Sequence, residues 1–188
     1  MEKIRKYFEA NAKLTEYDWE VFASKLTRQE FSKKHKLLHT GETEKYLSFI
    51  ENGIIRSYIP KEEYDLTFAF AFENHFISAY DSFLTQSPSS YTVETITNTT
   101  LWRLTYHDLQ TIYAKTKIGN FIGRKASEDL YLKKSKREQS LLNETAEERY
   151  LNIFSEQPKL IQHIPLKYIA SYIGITPQAL SRIRKRIS

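Results

Sequence analysis

The twenty residues from Leu166 to Lys185, LKYIASYIGITPQALSRIRK, leave a chain few ways to fold. Ile169 and Ile173 stand one helical turn apart, and Ala170 between them is small enough for a second helix to cross closely. Gly174 is suited to the left-handed conformation that ends a helix sharply. Ile175 fills the corner, Thr176 is a good N-cap, and Pro177 fits a first helical turn. Leu180 and Ile183 then return an apolar face to the first helix. This order predicts a helix-turn-helix, whose second helix enters the major groove of DNA. A helical hairpin with no DNA role has the same apolar spacing.

Charge favours the first reading. The chain has 188 residues and a formal net charge of +5. Six Lys/Arg and no Asp or Glu lie between Gln157 and Ser188, so the residues before them are near neutral. A basic patch on a neutral body is the footprint of a polyanion binder. With Leu180, Ile183 and Ile187 turned inward, Pro177, Gln178, Ser181, Arg182 and Lys185 face out. Gln178 and Arg182 share one stripe near the helix start, where base edges are reached. Gln bonds adenine N6 and N7 together, and Arg bonds guanine O6 and N7 together. Thr176, Ser181, Arg184, Lys185 and Arg186 are expected on phosphates, which fix register without reading sequence.

Upstream, the period of the pattern changes twice. Up to about residue 30, apolar residues at helical spacing (Ile4, Tyr7, Phe8, then Leu14, Tyr17, Val21, Phe22) predict one or two short helices. From Leu37 to Leu104 the reading is several short antiparallel strands in a small barrel, roll or sandwich. KYLSFIENGIIRSYI places two β-rich runs around Asn52-Gly53, a hairpin signal. YDLTFAFAF alternates large and small apolar residues, and YTVETITNTTLWRL turns at Asn98. Phe68, Phe70, Phe72, Phe76, Phe83, Tyr91 and Trp102 are expected in the core. Thr105 caps a short helix with Asp108 in its first turn. A long helix follows, with Ile118, Ile122, Ala126 and Leu130 along one face and Phe121 beside them. So narrow a stripe suits either one partner helix or a seat on the chain's own β unit. Thr145 and Glu148 form a capping-box pattern before Tyr150, Leu151 and Phe154, Pro158 closes that helix, and Pro165 opens another.

Other chemistries find little footing. With no cysteine there is no disulfide framework, thiolate nucleophile or Cys-ligated metal. His35 and His39 lie among Lys33, Lys34 and Lys36, which oppose a bound cation, so no metal is expected. There is no His-x-His pair, Gly-rich phosphate loop or Gly-x-Ser-x-Gly elbow, and an enzyme is not expected. The N-terminus lacks a signal-like apolar run, and no segment is apolar enough for a membrane helix, so a cytoplasmic protein is expected.

The stretches TAEERYLNIF, IPLKYIASYIGITPQALSRIRK and TGETEKYLSFIENGIIRSYI, with this order of parts, resemble the Crp/Fnr family of bacterial transcription regulators. The resemblance implies an α+β fold: an antiparallel β-roll of double-stranded β-helix (jelly-roll) type, a long dimerisation helix and a C-terminal helix-turn-helix. The corresponding divisions are 1–110, 111–142 and 143–188. It also implies a homodimer through Ile118, Phe121, Ile122, Ala126 and Leu130, binding to double-stranded DNA, and contact with RNA polymerase. Three departures qualify it. The family's phosphate-binding cassette carries a Gly-Glu pair and, further on, an Arg-Ser pair. Here Ser78-Ala79 and Ser89-Ser90 stand in their places, and only Ser90 matches. No Lys or Arg lies between Phe76 and Tyr91, and Asp81 adds negative charge, so cyclic AMP is not expected to bind and no cofactor is assigned. At the recognition helix Pro177 and Gln178 replace Arg and Glu, so the family's usual operator is not expected. The family's β wing has no counterpart before Ser188. The competing reading is an effector-binding or protein-interaction roll whose C-terminal helices scaffold a partner without reading DNA.

Overall fold

The computed structural model describes Met1–Ile187, and the chain falls into two units: Met1–Ser57 with Phe70–Glu128, and Tyr58–Ala69 with Asp129–Ser188. Ser188, the last residue of the expected 143–188 segment, lies outside the described residues.

The first unit begins with the two short helices that the sequence predicts, α1 (Glu2–Glu9) and α2 (Glu16–Ala23). Thr15 caps α2 by accepting the Asp18 N–H at 3.1 Å. Eight strands follow: β1 (Thr27–Phe31), β2 (Lys36–Leu38), β3 (Tyr46–Asn52), β4 (Ile55–Ile59), β5 (Leu66–Ala71), β6 (Phe76–Ile77), β7 (Thr92–Thr95) and β8 (Thr99–Thr105), with α3 (Tyr80–Thr85) between β6 and β7. They form two four-stranded sheets, ordered β1-β8-β3-β6 and β2-β7-β4-β5. Successive strands thus alternate between sheets for much of the chain, which makes this a roll of jelly-roll type rather than a meander.

That topology overturns the expected hairpin at Asn52-Gly53. β3 pairs with β8 and β6, whereas β4 lies in the other sheet. The turn is a corner where the chain changes sheet. Gly53 adopts φ +114°, and a Cβ there would lie 2.4 Å from Thr99 Oγ1 and 2.9 Å from the Thr99 backbone. Glycine is required by close approach to the start of β8, a demand that a hairpin signal does not distinguish.

Ile4, Phe8, Phe22, Phe49, Phe83, Leu104, Leu109 and Ile112 form the core, so α1, α2 and α4 (Tyr106–Lys115) close one side of the roll. Phe8 meets Phe22 edge-to-face at 4.6 Å. Of the other aromatics expected in the core, Tyr91 is buried, while Phe68, Phe70, Phe72, Phe76 and Trp102 are half-buried. Arg56 on β4 and Glu94 on β7 make a buried ion pair at 2.7 Å, each supplying the counter-charge that burial of the other requires. The cap expected at Thr105 forms, as a capping box with Asp108.

The long helix α5 spans Gly119–Asn143, so it starts after a break at residues 116–118 rather than at 111. Beyond it, the second unit contains α6 (Ala146–Glu156), α7 (Pro158–His163), α8 (Leu166–Ile173) and α9 (Pro177–Ile187). Thr145 and Glu148 make the predicted capping box. Pro158 both ends α6 and opens α7, a helix that the sequence reading did not anticipate. Tyr150, Ile153, Leu160, Ile164, Ile169, Ile173, Leu180 and Ile183 are buried and form the apolar interior of these helices. No helix among the described residues is long and apolar enough to cross a membrane.

Candidate nucleic-acid interface

Residues 174–176 set the geometry of the turn. Gly174 takes φ +83°, the left-handed conformation expected of it. The Ile175 N–H returns to the Ala170 carbonyl at 3.0 Å, closing the end of α8. Thr176 Oγ1 accepts the Ala179 N–H at 3.2 Å, so it caps α9. Leu180 and Ile183 turn inward as predicted, whereas Ile187, also expected inside, is exposed at the last residue of α9.

Pro177, Gln178, Ser181, Arg182, Arg184, Lys185 and Arg186 are all exposed, and Thr176 is half-buried. The side chains of Gln178, Ser181, Arg182 and Lys185 make no hydrogen bond or ion pair among the described residues. Arg186 differs: its Nη2 lies 2.5 Å from Glu147 Oε2, so it ties α9 to the first turn of α6. An outward row of uncommitted donors, with the acids elsewhere, suits approach to a polyanion.

The cassette is arranged the opposite way. Ser78 Oγ donates to the Tyr46 carbonyl at 2.9 Å. Ala79 is fully buried, and its N–H points to Glu44 Oε2 at 3.4 Å. Ser89 is buried, its N–H donating to the Glu42 carbonyl and its Oγ to the Tyr91 carbonyl. Only Ser90 is exposed. Tyr91 Oη donates to Asp81 Oδ1 at 2.6 Å, and burial together with that carboxylate pushes the phenol pKa up. The polar groups of the stretch are thus engaged with their own chain.

Two residues that the sequence reading missed complete this region. Glu44 is buried; its Oε1 accepts the Tyr46 N–H at 2.9 Å, and its own N–H donates to Ser82 Oγ at 3.0 Å. Burial raises its pKa, against the opposing pull of the Tyr46 and Ala79 amides and of Arg103. Arg103, from β8, lies 4.0 Å from Glu44, 3.8 Å over the Tyr46 ring, and donates to Ser48 and Gln29. The buried cation beside the cassette is therefore already engaged with a carboxylate of the same chain. Sequence distance hid it, since a search between Phe76 and Tyr91 reaches neither residue.

The expected dimerisation stripe divides. Ile118 is only 9% exposed, and Ile122 packs against the core of the first unit. Gly123 lets Tyr113 lie close, where a Cβ would be 2.6 Å from its Oη. Phe121 and Ala126 are exposed and Leu130 is half-buried. The largest exposed apolar side chains further along α5 are Tyr131, Leu132 and Leu142. Of the two seats left open for this helix, its start takes the chain's own β unit. His35 and His39 are both exposed, and no group of three His, Asp or Glu among the described residues is placed to hold a metal.

The family described as the cyclic nucleotide-binding domain matches residues 28–116. No curated protein matches the chain in sequence. Among solved structures, FixK2 from Bradyrhizobium japonicum superposes with a TM-score of 0.73 at 15% identity, over 86% of this chain and 84% of that one. A CooA mutant from Carboxydothermus hydrogenoformans gives 0.71 at 16% identity, over 92% and 80%. A putative transcriptional regulator of the Crp/Fnr family from Eubacterium rectale gives 0.69 at 17% identity, over 92% and 83%. Residues 28–116 thus match the cyclic nucleotide-binding domain family, and the chain shares the fold of these solved structures, one of them a putative regulator of the Crp/Fnr family.

Proposed function

We propose that the protein is a sequence-specific DNA-binding transcription regulator, a homodimer that acts without cyclic AMP. The observation that carries this is the outer face of α9, where Gln178, Ser181, Arg182 and Lys185 are exposed and uncommitted. Gln178 and Arg182 read bases, with Gln178 suited to adenine and Arg182 to guanine. Thr176, Ser181, Arg184 and Lys185 hold phosphates. Arg186, expected among them, serves α9 first through Glu147. Pro177 gives the helix a rigid start at the groove.

Independence from cyclic AMP is supported by the cassette, where Ser78 and Ser89 are bonded internally and the neighbouring cation, Arg103, faces Glu44. A cyclic phosphate brought to Ser78, Ala79, Ser89 and Ser90 would meet a buried carboxylate instead of a free cation. Homodimerisation uses the exposed side of α5, with Phe121, Tyr131 and Leu132 in place of Ile118 and Ile122. The chain acts in the cytoplasm, carries out no catalysis, and contacts RNA polymerase, as the resemblance to the Crp/Fnr family implies.

Selection of duplexes from a random DNA pool tests the proposal. The expected result is an inverted repeat with half-sites about one helical turn apart, ~10 bp centre to centre. Enrichment of no sequence would contradict DNA reading, and enrichment of a single unrepeated site would contradict the dimer.

A further inference from the structure

The segment Tyr58–Ala69, which leaves β4 and returns as β5, belongs to the same unit as the helix-turn-helix. One hydroxyl links it to that motif by hydrogen bonds. Ser171 Oγ, on α8, donates to the Asp65 carbonyl at 2.6 Å and accepts the Thr67 N–H at 2.8 Å. It also lies 2.9 Å from Thr67 Oγ1. Ser171 and Thr67 are both buried, so water does not replace these bonds when they are lost.

The rest of α8 is equally constrained. All five residues from Ile169 to Ile173 are buried, so the C-terminal part of the helix is enclosed on every side. Its last carbonyls, which no intrahelical N–H satisfies, are taken by two arginines. Arg137 donates from Nη2 to the Tyr172 carbonyl and lies 3.9 Å over the Tyr172 ring. Arg149 donates from Nε to the Ile173 carbonyl at 3.0 Å. Immediately beyond them, Gly174 starts the turn into α9.

Apolar contacts hold α9 on α8 but are non-directional, and they tolerate small slides of one helix along another. Hydrogen bonds to a hydroxyl and to terminal carbonyls are directional and define one register. Base readout depends on placing Gln178 and Arg182 to within a hydrogen-bond length, so that register matters to reading.

We propose that the Tyr58–Ala69 hairpin is a third element of the DNA-reading unit, and that Ser171 is a positioning residue for the recognition helix. The proposal rests on the DNA-reading role assigned to α9. The hairpin remains docked on α8 when DNA is bound.

The chain has no cysteine, so Thr67→Cys with Ser171→Cys introduces one defined pair into the full-length protein. The probe is the duplex that the wild-type chain enriches from a random pool. Ser171→Ala is expected to bind it about tenfold more weakly, with helix content and salt dependence unchanged because the phosphate contacts remain. Wild-type affinity for Ser171→Ala would overturn the proposal. The oxidised cysteine pair is expected to form readily and to bind as wild type. A pair that does not oxidise, or one that loses DNA when oxidised and regains it on reduction, would equally overturn it.

Hydrogen exchange on the DNA-free protein provides a readout independent of DNA. Ser171→Ala should speed exchange of the Thr67 amide and of α8. Unchanged exchange would refute the hairpin's role even if the chain reads DNA. A wild-type chain that enriches no duplex while the variant shows faster exchange would instead remove the DNA-reading premise, and with it the positioning role of Ser171.

Discussion

The cassette of the roll and the outer face of α9 are both short polar stretches, yet they treat their polar groups in opposite ways. In the cassette, Ser78, Ser89 and Tyr91 bond to carbonyls or carboxylates of their own chain. On α9, Gln178, Ser181, Arg182 and Lys185 are left to solvent. A stretch that binds a charged partner must keep donors available, because a donor already satisfied inside the protein gains little by changing partner. The contrast argues that this chain keeps the roll as a scaffold and does its recognition with α9.

Removing the dimer should have the largest effect on recognition. Tyr131 and Leu132 are 70% and 64% exposed on α5. Replacing both by Glu should give a monomer by sedimentation, and affinity for a two-half-site duplex should fall by roughly a hundredfold or more as the second contact ceases to be intramolecular. A dimer that persists would place the interface elsewhere.

Next come single side chains of α9. Arg182→Ala should lose about 1–3 kcal/mol on the selected duplex and relax one base position. Lys185→Ala should weaken all duplexes alike and lower the salt slope by about one phosphate contact. Arg186→Ala should change that slope less, since its guanidinium is held by Glu147. Equal loss on every sequence for Arg182→Ala would make it a phosphate contact and remove the reader from the comparison.

The smallest expected effect lies in the cassette. Burial raises the Glu44 pKa, so the folded state favours its protonated form. The stability it contributes is fully present below the carboxylate range of the unfolded chain and is lost as pH rises through the raised folded value. Wild type should therefore lose stability relative to Glu44→Gln as pH rises above the ordinary carboxylate range, read as the difference between their denaturation midpoints. Glu51 is held below the ordinary range, chiefly by the Trp102 indole N–H, and opposes this trend in both proteins, so the difference isolates Glu44. Parallel pH profiles would show that Glu44 is not strained by its site.

Local signals in the sequence translated well into local structure. The capping pairs Thr105/Asp108 and Thr145/Glu148 and the Gly174–Thr176 turn depend on residues a few positions apart, and each forms as its chemistry dictates. What depended on distant partners was not legible. Asn52-Gly53 has the composition of a hairpin, but the partner that matters is Thr99, which crowds Gly53 at a sheet corner. The apolar stripe of α5 was visible, but not that Ile122 packs beneath the roll's own core. The basic face of α9 could be read from periodicity, because one helix carries the whole pattern. The Glu44–Arg103 pair could not, because it joins positions on different elements brought together by the roll.

The most direct test of this division is a binding titration of the selected duplex by the purified chain, without nucleotide and again with saturating cyclic AMP. The arrangement described here predicts tight, sequence-selective binding without nucleotide, and a Kd unchanged within about twofold when cyclic AMP is added. No selective binding, or a Kd that tightens by tenfold or more with cyclic AMP, would contradict it.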